Sequence, residues 1–347
     1  MAKRTKGQDL AEKLTWSAPN IGKEAPKQAS KANKFCEGYK LFLNEAKTER
    51  ECVTAIVYRL SKAGYRPYDK SAVYQPGDKV YYVNRKKSVI ATTFGTEPVE
   101  AGLRLNGAHI DSPRLDLKPN PLYEKDDMAL FKTHYYGGIR KYQWAAIPLA
   151  IHGVVVKKNG EIVNVVIGED EKDPVFCVTD LLPHLAAKQN ERKLGDGIRG
   201  EELNVVIGSL PYQDEAVKEP VKLLALQMLY DKYGITEADF YRAEIEIVPA
   251  FKAVDVGLDR SMVGAYGQDD RVCAYTALMA EIETGHPTYT TVTIFADKEE
   301  IGSEGNTGLN SDFVLHYVED LAEQAGASVR TVLRNSLCLS SDVNAAY

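Results

Sequence analysis

The sequence contains few cysteines, and their arrangement excludes a disulfide framework. There are five in 347 residues, an odd number, and no two of them have CxxC spacing. They are Cys36, Cys52, Cys177, Cys273 and Cys338. Widely separated cysteines of this kind are typical of reduced core thiols in an intracellular protein. We therefore expect a cytoplasmic location.

Long hydrophobic runs and an excess of positive charge are also missing. No apolar stretch is long enough to span a bilayer, and the N-terminus lacks the apolar segment of a secretion signal. The formal net charge is -6 at pH 7, whereas nucleic-acid binding depends on clustered cations. We expect neither a membrane nor a nucleic acid as partner. The first 34 residues are locally basic, which favours a solvated arm or a subunit contact over an RNA-binding tail.

Several common catalytic motifs do not occur in the sequence. It has no HExxH zinc helix, no phosphate-binding P-loop and no GxSxG nucleophile turn. Residues Gly195 to Gly200 match GxGxxG, but they follow a polar, helical pattern and precede a strand pattern. A dinucleotide-binding fingerprint needs the opposite context, a strand before it and a helix after it. We interpret this segment as a surface loop.

The most informative feature that is present is a set of four acidic clusters at the ends of apolar runs. They are His109-Ile110-Asp111, Asp269-Asp270, Glu299-Glu300 and Ser341-Asp342. Hydrolytic sites with two metal ions need few imidazoles and several carboxylates, because hard, partly hydrated cations bind best to oxygen. In open α/β sheets, ligands bind beyond the carboxyl ends of the strands, where three of these clusters are expected.

Apolar periodicity predicts an α/β fold with a second, β-rich region inserted into it. Helices are predicted at 30–65, 220–233 and 271–283, and strands around the clusters at 79–84, 88–93, 103–109, 291–296 and 332–339. Between about 117 and 250 short strand patterns dominate, punctuated by proline and glycine. The predicted domains are therefore 1–116, the first part of the α/β domain, 117–250, the inserted domain, and 251–347, the second part.

The His109 and Glu299 clusters each have a simpler interpretation than metal binding. On a strand Asp111 faces the same way as His109 and supports its imidazole, yet a histidine satisfied by an acid is more common than a metal ligand. The adjacent carboxylates of Glu299 and Glu300 repel each other unless a cation or a shared proton compensates. A solvated turn explains them about equally well.

The remaining two clusters are also ambiguous when they are taken alone. Either Asp269 or Asp270 could cap the helix that follows, while the other binds or braces a metal ion. Asp342, after an apolar strand and two serines, is more often a turn residue than a ligand. The occurrence of all four clusters in one chain indicates the metal site.

On these residues the chain resembles the M18 family of metallopeptidases, the aspartyl aminopeptidase family of zinc aminopeptidases. The matching stretches are His109 to Arg114, Gly267 to Arg271, Asp297 to Ser303 and Ser340 to Asp342. They occur in the family's order, and the resemblance extends from about residue 30 to the end. It implies a metal-dependent aminopeptidase that removes N-terminal residues from peptides, with acidic and neutral residues both open as substrates.

The resemblance also implies the ligands of two divalent metal ions, zinc being expected although cobalt and manganese suit the same ligands. His109 would bind one ion, with Asp111 orienting its imidazole. Asp269 would bridge the two ions. Glu300 and Asp342 would complete the set of ligands.

Two further residues receive roles from the resemblance. Glu299 would be the general base that takes a proton from a water molecule activated by both cations and passes it to the leaving amine. His184 would reach the site of a neighbouring subunit and steady the oxyanion. The family's fold is a central mixed sheet flanked by helices, interrupted by a β-rich dimerisation domain, and its members form dodecamers. A dimer-based homo-oligomer is therefore expected.

The sequence departs from the family pattern near its end. Family members continue beyond the position of Asp342 and supply a last histidine ligand, so we expect either a fragment or a weakened second metal site. Two other functions stay open at this point. One is a catalytically silent assembly or cargo protein, and the other is a metal-dependent amidohydrolase of acylated amino acids.

Overall fold

Two large β-sheets and the helices packed on them organise the chain, and the computed structural model describes residues 4–17 and 21–344, with Ile21 described by its backbone alone. The α-helices are α1 (Lys6–Leu14), α2 (Ile21–Glu24), α3 (Pro26–Glu45), α4 (Glu49–Lys62), α5 (Ala187–Asn190), α6 (Pro220–Tyr233), α7 (Gln268–Glu283), α8 (Phe313–Gln324) and α9 (Val329–Asn335). The strands are β1 (Arg66–Pro67), β2 (Lys79–Asn84), β3 (Ser88–Thr93), β4 (Arg104–His109), β5 (Arg114–Lys125), β6 (Met128–Tyr136), β7 (Leu149–Val156), β8 (Ile162–Ile167), β9 (Cys177–Val178), β10 (Val205–Gly208), β11 (Ala243–Pro249), β12 (Val254–Val256), β13 (Met262–Gly264), β14 (Thr291–Ala296) and β15 (Leu337–Ser340).

The first sheet is mixed and lies between two layers of helices. Its strand order is β1-β2-β3-β14-β4-β15, with β14, β4 and β15 parallel to one another and β3 antiparallel to β14. Along β3, Val89 and Ala91 join the core under α3, α4 and α7, whereas Ile90 joins the core under α8 and α9. This alternation follows from the two-residue period of a strand. The predicted α/β class, with a central mixed sheet flanked by helices, is confirmed.

The second sheet is antiparallel and takes all its strands from residues 114–249. Its strand order is β8-β7-β11-β5-β6-β10-β9, and α6 packs on one face of it. As predicted, α6 starts at Pro220 and is closed by Gly234, which has the left-handed φ of 65° that favours glycine at a helix end. In the chain this sheet separates β4 from β14. The limits 117–250 for an inserted domain, and its role in dimerisation, stay predictions.

The helix predicted over residues 30–65 is two helices in the structure. The chain leaves α3 after Glu45 and enters α4 at Glu49. Thr48 and Glu51 close the start of α4 reciprocally, because each side chain accepts a hydrogen bond from the backbone N–H of the other. Such a capping box fixes a new helix start, and it interrupts an apolar period that is otherwise continuous.

The strand predicted over residues 332–339 is also wrong in its first half. Residues 332–335 belong to α9, whose first turn closes with a 3.0 Å hydrogen bond from the Val332 N–H to the Ser328 carbonyl. Only Leu337–Ser340 form a strand, β15, at the edge of the first sheet. Apolar residues in a short run do not distinguish the last turn of a helix from a strand.

A group of buried charged residues joins α4 and the first sheet to the second sheet. The Glu49 carboxylate lies 2.7 Å from Lys87 Nζ and 3.3 Å from Arg114 Nη1, and Arg114 Nε lies 3.3 Å from Glu246 Oε2. Burial opposes ionisation of Glu49, but Arg114 and Lys87 hold the pKa of that carboxyl well below its usual range. Breaking a buried pair by removing one partner typically costs about 3–5 kcal/mol. These ion pairs therefore fix how the two sheets meet.

The basic N-terminal stretch forms α1, α2 and the start of α3, and its Lys3 lies outside the described residues. A capping box between Thr5 and Gln8 starts α1, which buries none of its side chains. Over the ranges 4–17 and 21–344, none of the helices has the length and apolar character needed to cross a membrane.

Candidate metal centre

Three parallel strands of the first sheet end on one side, and an acidic cluster follows each of them. In register, His109 at the end of β4 lies beside Ala296 at the end of β14, and Gly107 lies beside Ser340 at the end of β15. The Glu299–Ile301 turn follows β14 closely, and Asp342 follows β15. The start of α7, which packs against β4, adds the Asp269-Asp270 pair. The four predicted clusters therefore meet at the carboxyl edge where α/β sheets bind ligands.

His109 lies at the centre of this meeting point. Its side chain is 4% exposed, and its Nε2 is 3.1 Å from Asp269 Oδ1, 3.7 Å from Glu299 Oε2 and 3.9 Å from Asp342 Oδ1. Its other ring nitrogen, Nδ1, faces Asp111. Three carboxylates from three separate segments thus surround one edge of a single imidazole.

The Asp269-Asp270 pair enters the site from a non-helical turn. Neither residue has helical backbone angles, the peptide bond between them is cis, and regular α7 geometry begins at Arg271. In the part of the chain that the structure describes, no side-chain hydrogen bond caps this helix, so the predicted capping role of the pair is wrong. The Ser112 hydroxyl instead holds the turn by donating a 2.6 Å hydrogen bond to the Asp269 carbonyl.

Asp111 connects the histidine to the glutamate turn. Its carboxylate is fully buried and accepts hydrogen bonds from the backbone N–H groups of Glu299 and Glu300, each at 3.2 Å, and from the Tyr136 hydroxyl at 2.7 Å. His109 Nδ1 lies 3.0 Å from the Asp111 carbonyl and 3.4 Å from its carboxylate. Burial would raise the pKa of Asp111, but the hydrogen bonds from His109 and Tyr136 hold it below its ordinary value.

The site holds more acid than its one imidazole can balance. Burial alone would lower the pKa of His109, but its contact with Asp111 and the surrounding acids raise it to about 9. Burial raises the pKa of Asp270 to about 6, and burial together with the charge of Asp269 raises that of Glu300 to about 7. Burial and the neighbouring acids thus disfavour the charged forms of these carboxylates, and a bound cation would favour them.

Two overlapping groups of residues offer metal-binding atoms within 4.8 Å of one another. One group is His109, Asp269 and Glu300, and the other is His109, Asp270 and Asp342. Glu300 Oε1 and both oxygens of the Asp270 carboxylate are buried and, among the residues described, have no hydrogen-bond partner. One imidazole with several carboxylates is a donor set that zinc accepts. The residues at this site therefore fit a divalent cation.

The structure places His184 away from this cluster within the same chain. It lies exposed in the segment between β9 and α5, where its neighbours Leu182 and Leu185 are 52% and 67% exposed. The predicted role of His184 was in the site of a neighbouring subunit. That role stays a prediction.

The sequence left the role of Asp270 open and did not identify Tyr136 as part of the site. Either aspartate of the Asp269-Asp270 pair was predicted to cap the helix or brace the site while the other binds metal, and in the structure the Asp270 carboxylate reaches the group of Asp342 and His109. Its position next to Asp269 was the available signal. Tyr136 comes from β6 of the second sheet, and no pattern in the sequence indicates that a tyrosine at this strand end contacts Asp111.

The sequence of this chain is similar to one protein-family model and to several known relatives. A family model described as aminopeptidase I zinc metalloprotease (M18) matches residues 42–347. A probable M18 family aminopeptidase 1 from Clostridium acetobutylicum is 51% identical over 329 residues, which cover 92% of this chain and 71% of that relative. One with the same name from Thermotoga maritima is 46% identical over 317 residues, covering 90% of this chain and 69% of that relative.

Solved structures show the same similarity in three dimensions. An M18-family aminopeptidase from Thermotoga maritima superposes with a TM-score of 0.90 at 44% identity, covering 96% of this chain and 73% of that one. The mApe1 dodecamer of Saccharomyces cerevisiae superposes with a TM-score of 0.71 at 21% identity, covering 92% of this chain and 73% of that one. At that identity the likeness to the yeast protein shows the fold alone.

Proposed function

This chain belongs to the M18 family of zinc metalloprotease aminopeptidases, and on that premise we propose that the cluster around His109 binds two divalent cations and is where N-terminal residues are cleaved from peptides. The observation that carries the proposal is the convergence of four chain segments on one imidazole. Their side chains supply the two overlapping groups of ligand atoms, and three carboxylate oxygens of Asp270 and Glu300 are buried there without a hydrogen-bond partner among the described residues, which a bound cation would explain.

The residues divide between two ions by their chemistry. His109 Nε2 has one lone pair and can serve only one ion, although it belongs to both groups. Asp269 has two carboxylate oxygens and is the residue closest to Nε2, at 3.1 Å, so it is the candidate to bridge the ions. Glu300 and Asp342 would then each bind one of the two ions. Zinc, when bound, supplies a Lewis acid that polarises the scissile carbonyl and makes water more acidic.

Glu299 is the proposed general base. Its carboxylate is 3.7 Å from His109 Nε2 and its side chain is 47% exposed, so it borders the site while remaining open to substrate and water. Its backbone N–H donates a hydrogen bond to the Asp111 carboxylate, which fixes the position of the backbone from which the side chain extends. In this position Glu299 takes a proton from the attacking water and gives it to the amine that leaves.

The zinc content of the chain tests the two-ion proposal. We expect two equivalents of zinc per chain by inductively coupled plasma mass spectrometry after dialysis against zinc. Treatment with a chelator should abolish release of the N-terminal residue from an unblocked peptide, and added zinc should restore it. An N-acetylated copy of the peptide is the matched control. A single equivalent, or hydrolysis that survives removal of zinc, would contradict the proposal.

We also propose that the active form is a homo-oligomer in which His184 of one copy reaches the site of another. The proposal is supported by the resemblance of the segment around His184 to the family, by its exposure among leucines, and by the dodecameric yeast structure.

Subunit mixing tests the role of His184. We expect His184→Ala to lower kcat on the order of 100-fold, because an oxyanion donor is lost. When His184→Ala chains are mixed with Glu299→Gln chains, random pairing in a dimer should restore about a quarter of the wild-type activity, since one site in each mixed pair is intact. If the mixture is no more active than its components, His184 does not act across subunits.

A further inference from the structure

The buried carboxylate of Asp111 depends on a donor from the second sheet. Two of its hydrogen bonds come from backbone N–H groups of the glutamate turn, which belongs to the first sheet's edge. The shortest, at 2.7 Å, comes from the hydroxyl of Tyr136 at the end of β6. A protonated phenol is a permanent donor at neutral pH, and a hydrogen bond to a buried carboxylate is strong.

The ring of Tyr136 is itself held in place. Tyr136 is 7% exposed and pairs across the sheet with Arg114, whose guanidinium lies 3.8 Å from the ring centre. Arg114 is fixed in turn by its ion pairs with Glu49, Asp116 and Glu246, all within 3.3 Å. A cation over the face of an aromatic ring attracts it, so the phenol is braced from behind while its hydroxyl points at Asp111.

The residue after Tyr136 borders the same site. Gly137 has a φ of 72°, and a Cβ atom there would lie 3.2 Å from both Cβ and Oε2 of Glu300. The end of β6 thus approaches both Asp111 and a proposed metal ligand. The first-sheet site is built against this strand end of the second sheet.

We propose that Tyr136 is a positioning residue of the metal centre, which acts by holding the Asp111 carboxylate in the orientation that serves both His109 and the glutamate turn. The inference rests on the proposed metal-binding function of the cluster. Without the phenol hydroxyl, the Asp111 carboxylate loses its shortest hydrogen bond among the described residues and keeps the two 3.2 Å bonds from the Glu299 and Glu300 N–H groups, so its orientation toward His109 Nδ1 is held less firmly. Mutating a residue that supports a metal ligand from behind typically weakens metal binding by about 10- to 100-fold.

The Tyr136→Phe variant tests this inference, with Tyr135→Phe as the matched control. Tyr135 is the preceding residue of β6 and is 39% exposed. Its replacement by phenylalanine removes the same oxygen atom at a position outside the proposed site. We expect Tyr136→Phe to weaken zinc binding at least about 10-fold in competition with a chromophoric chelator, and to lower kcat with KM changed less than about two-fold. Equal zinc affinity in the two variants would overturn the proposal.

A double-mutant cycle shows whether Tyr136 acts through Asp111. Asp111→Asn alone should weaken zinc binding, and adding Tyr136→Phe to it should change the affinity little further, whereas independent effects would multiply. Multiplied effects would overturn the proposal. It would also be overturned if Tyr136→Phe lowered the melting temperature of the metal-free protein as much as that of the zinc-loaded protein. If Asp111→Asn leaves zinc affinity unchanged, the proposed role of Asp111 itself is wrong. If Asp111→Asn weakens binding and Tyr136→Phe does not, only the inference about Tyr136 fails.

Discussion

Replacing Glu299 with glutamine is expected to lower kcat for peptide hydrolysis by about 1,000-fold while the zinc content stays that of the wild type. Glutamine keeps the size and shape of the side chain but cannot accept a proton, and a positioned general base contributes typically about 100- to 10,000-fold. The backbone N–H of residue 299 still donates to Asp111, so the turn keeps its place. Steady-state kinetics on an unblocked peptide, together with metal analysis of the same sample, measures both quantities.

Glu304→Gln is the control for this prediction. Glu304 is an exposed glutamate in the same loop, five residues further along, and lies outside the proposed catalytic cluster. We expect its kcat to stay within about two-fold of the wild type, as is usual for a surface substitution. If Glu299→Gln hydrolyses peptide as fast as Glu304→Gln, Glu299 is not the base. If Glu299→Gln loses zinc as well, its effect comes from metal binding rather than from proton transfer.

Replacing His109 with alanine is expected to weaken zinc binding by more than about 100-fold and to abolish hydrolysis. His109 belongs to both groups of ligand atoms, so its loss removes the only imidazole from each of them. Removing a partner behind a ligand already costs about 10- to 100-fold in affinity, and loss of the ligand itself should cost more. Competition with a chromophoric chelator measures the affinity, and the same sample is assayed for release of the N-terminal residue.

His134→Ala provides the comparison for His109→Ala. His134 is an exposed histidine on β6 whose ring stacks on Tyr135, with 5.5 Å between the ring centres, and it belongs to neither group of metal-binding atoms around His109. Its removal should leave zinc affinity and kcat within about two-fold of the wild type. If His109→Ala binds zinc as tightly as His134→Ala does, the ion lies elsewhere.

The sequence was sufficient to predict which segments meet at the site. Apolar strand patterns ending at His109, before Asp297 and before Asp342 placed three clusters at strand ends, and parallel pairing of β4, β14 and β15 puts those ends side by side. The pattern is reliable here because strand period and acidic turn are both local properties of the chain. The motifs that resemble those of the M18 family contain the same residues.

What could not be predicted depends on contacts between distant residues or on competing local signals. The break between α3 and α4 had a readable signal, the capping box of Thr48 and Glu51, which the continuous apolar period concealed. The start of α9 had no comparable signal, since its residues suit either a helix or a strand. The contact of Tyr136 with Asp111 depends on how the second sheet docks on the first, which no local pattern records.

The docking of the second sheet limits how the enzyme can be re-engineered. A minimised catalyst made by excising the intervening strands and splicing β4 to α7 would lose the phenol behind Asp111, the arginine under that phenol and the glycine beside Glu300. The excised part is therefore no detachable accessory, and a part swapped in from a relative would have to carry equivalent residues at these three positions.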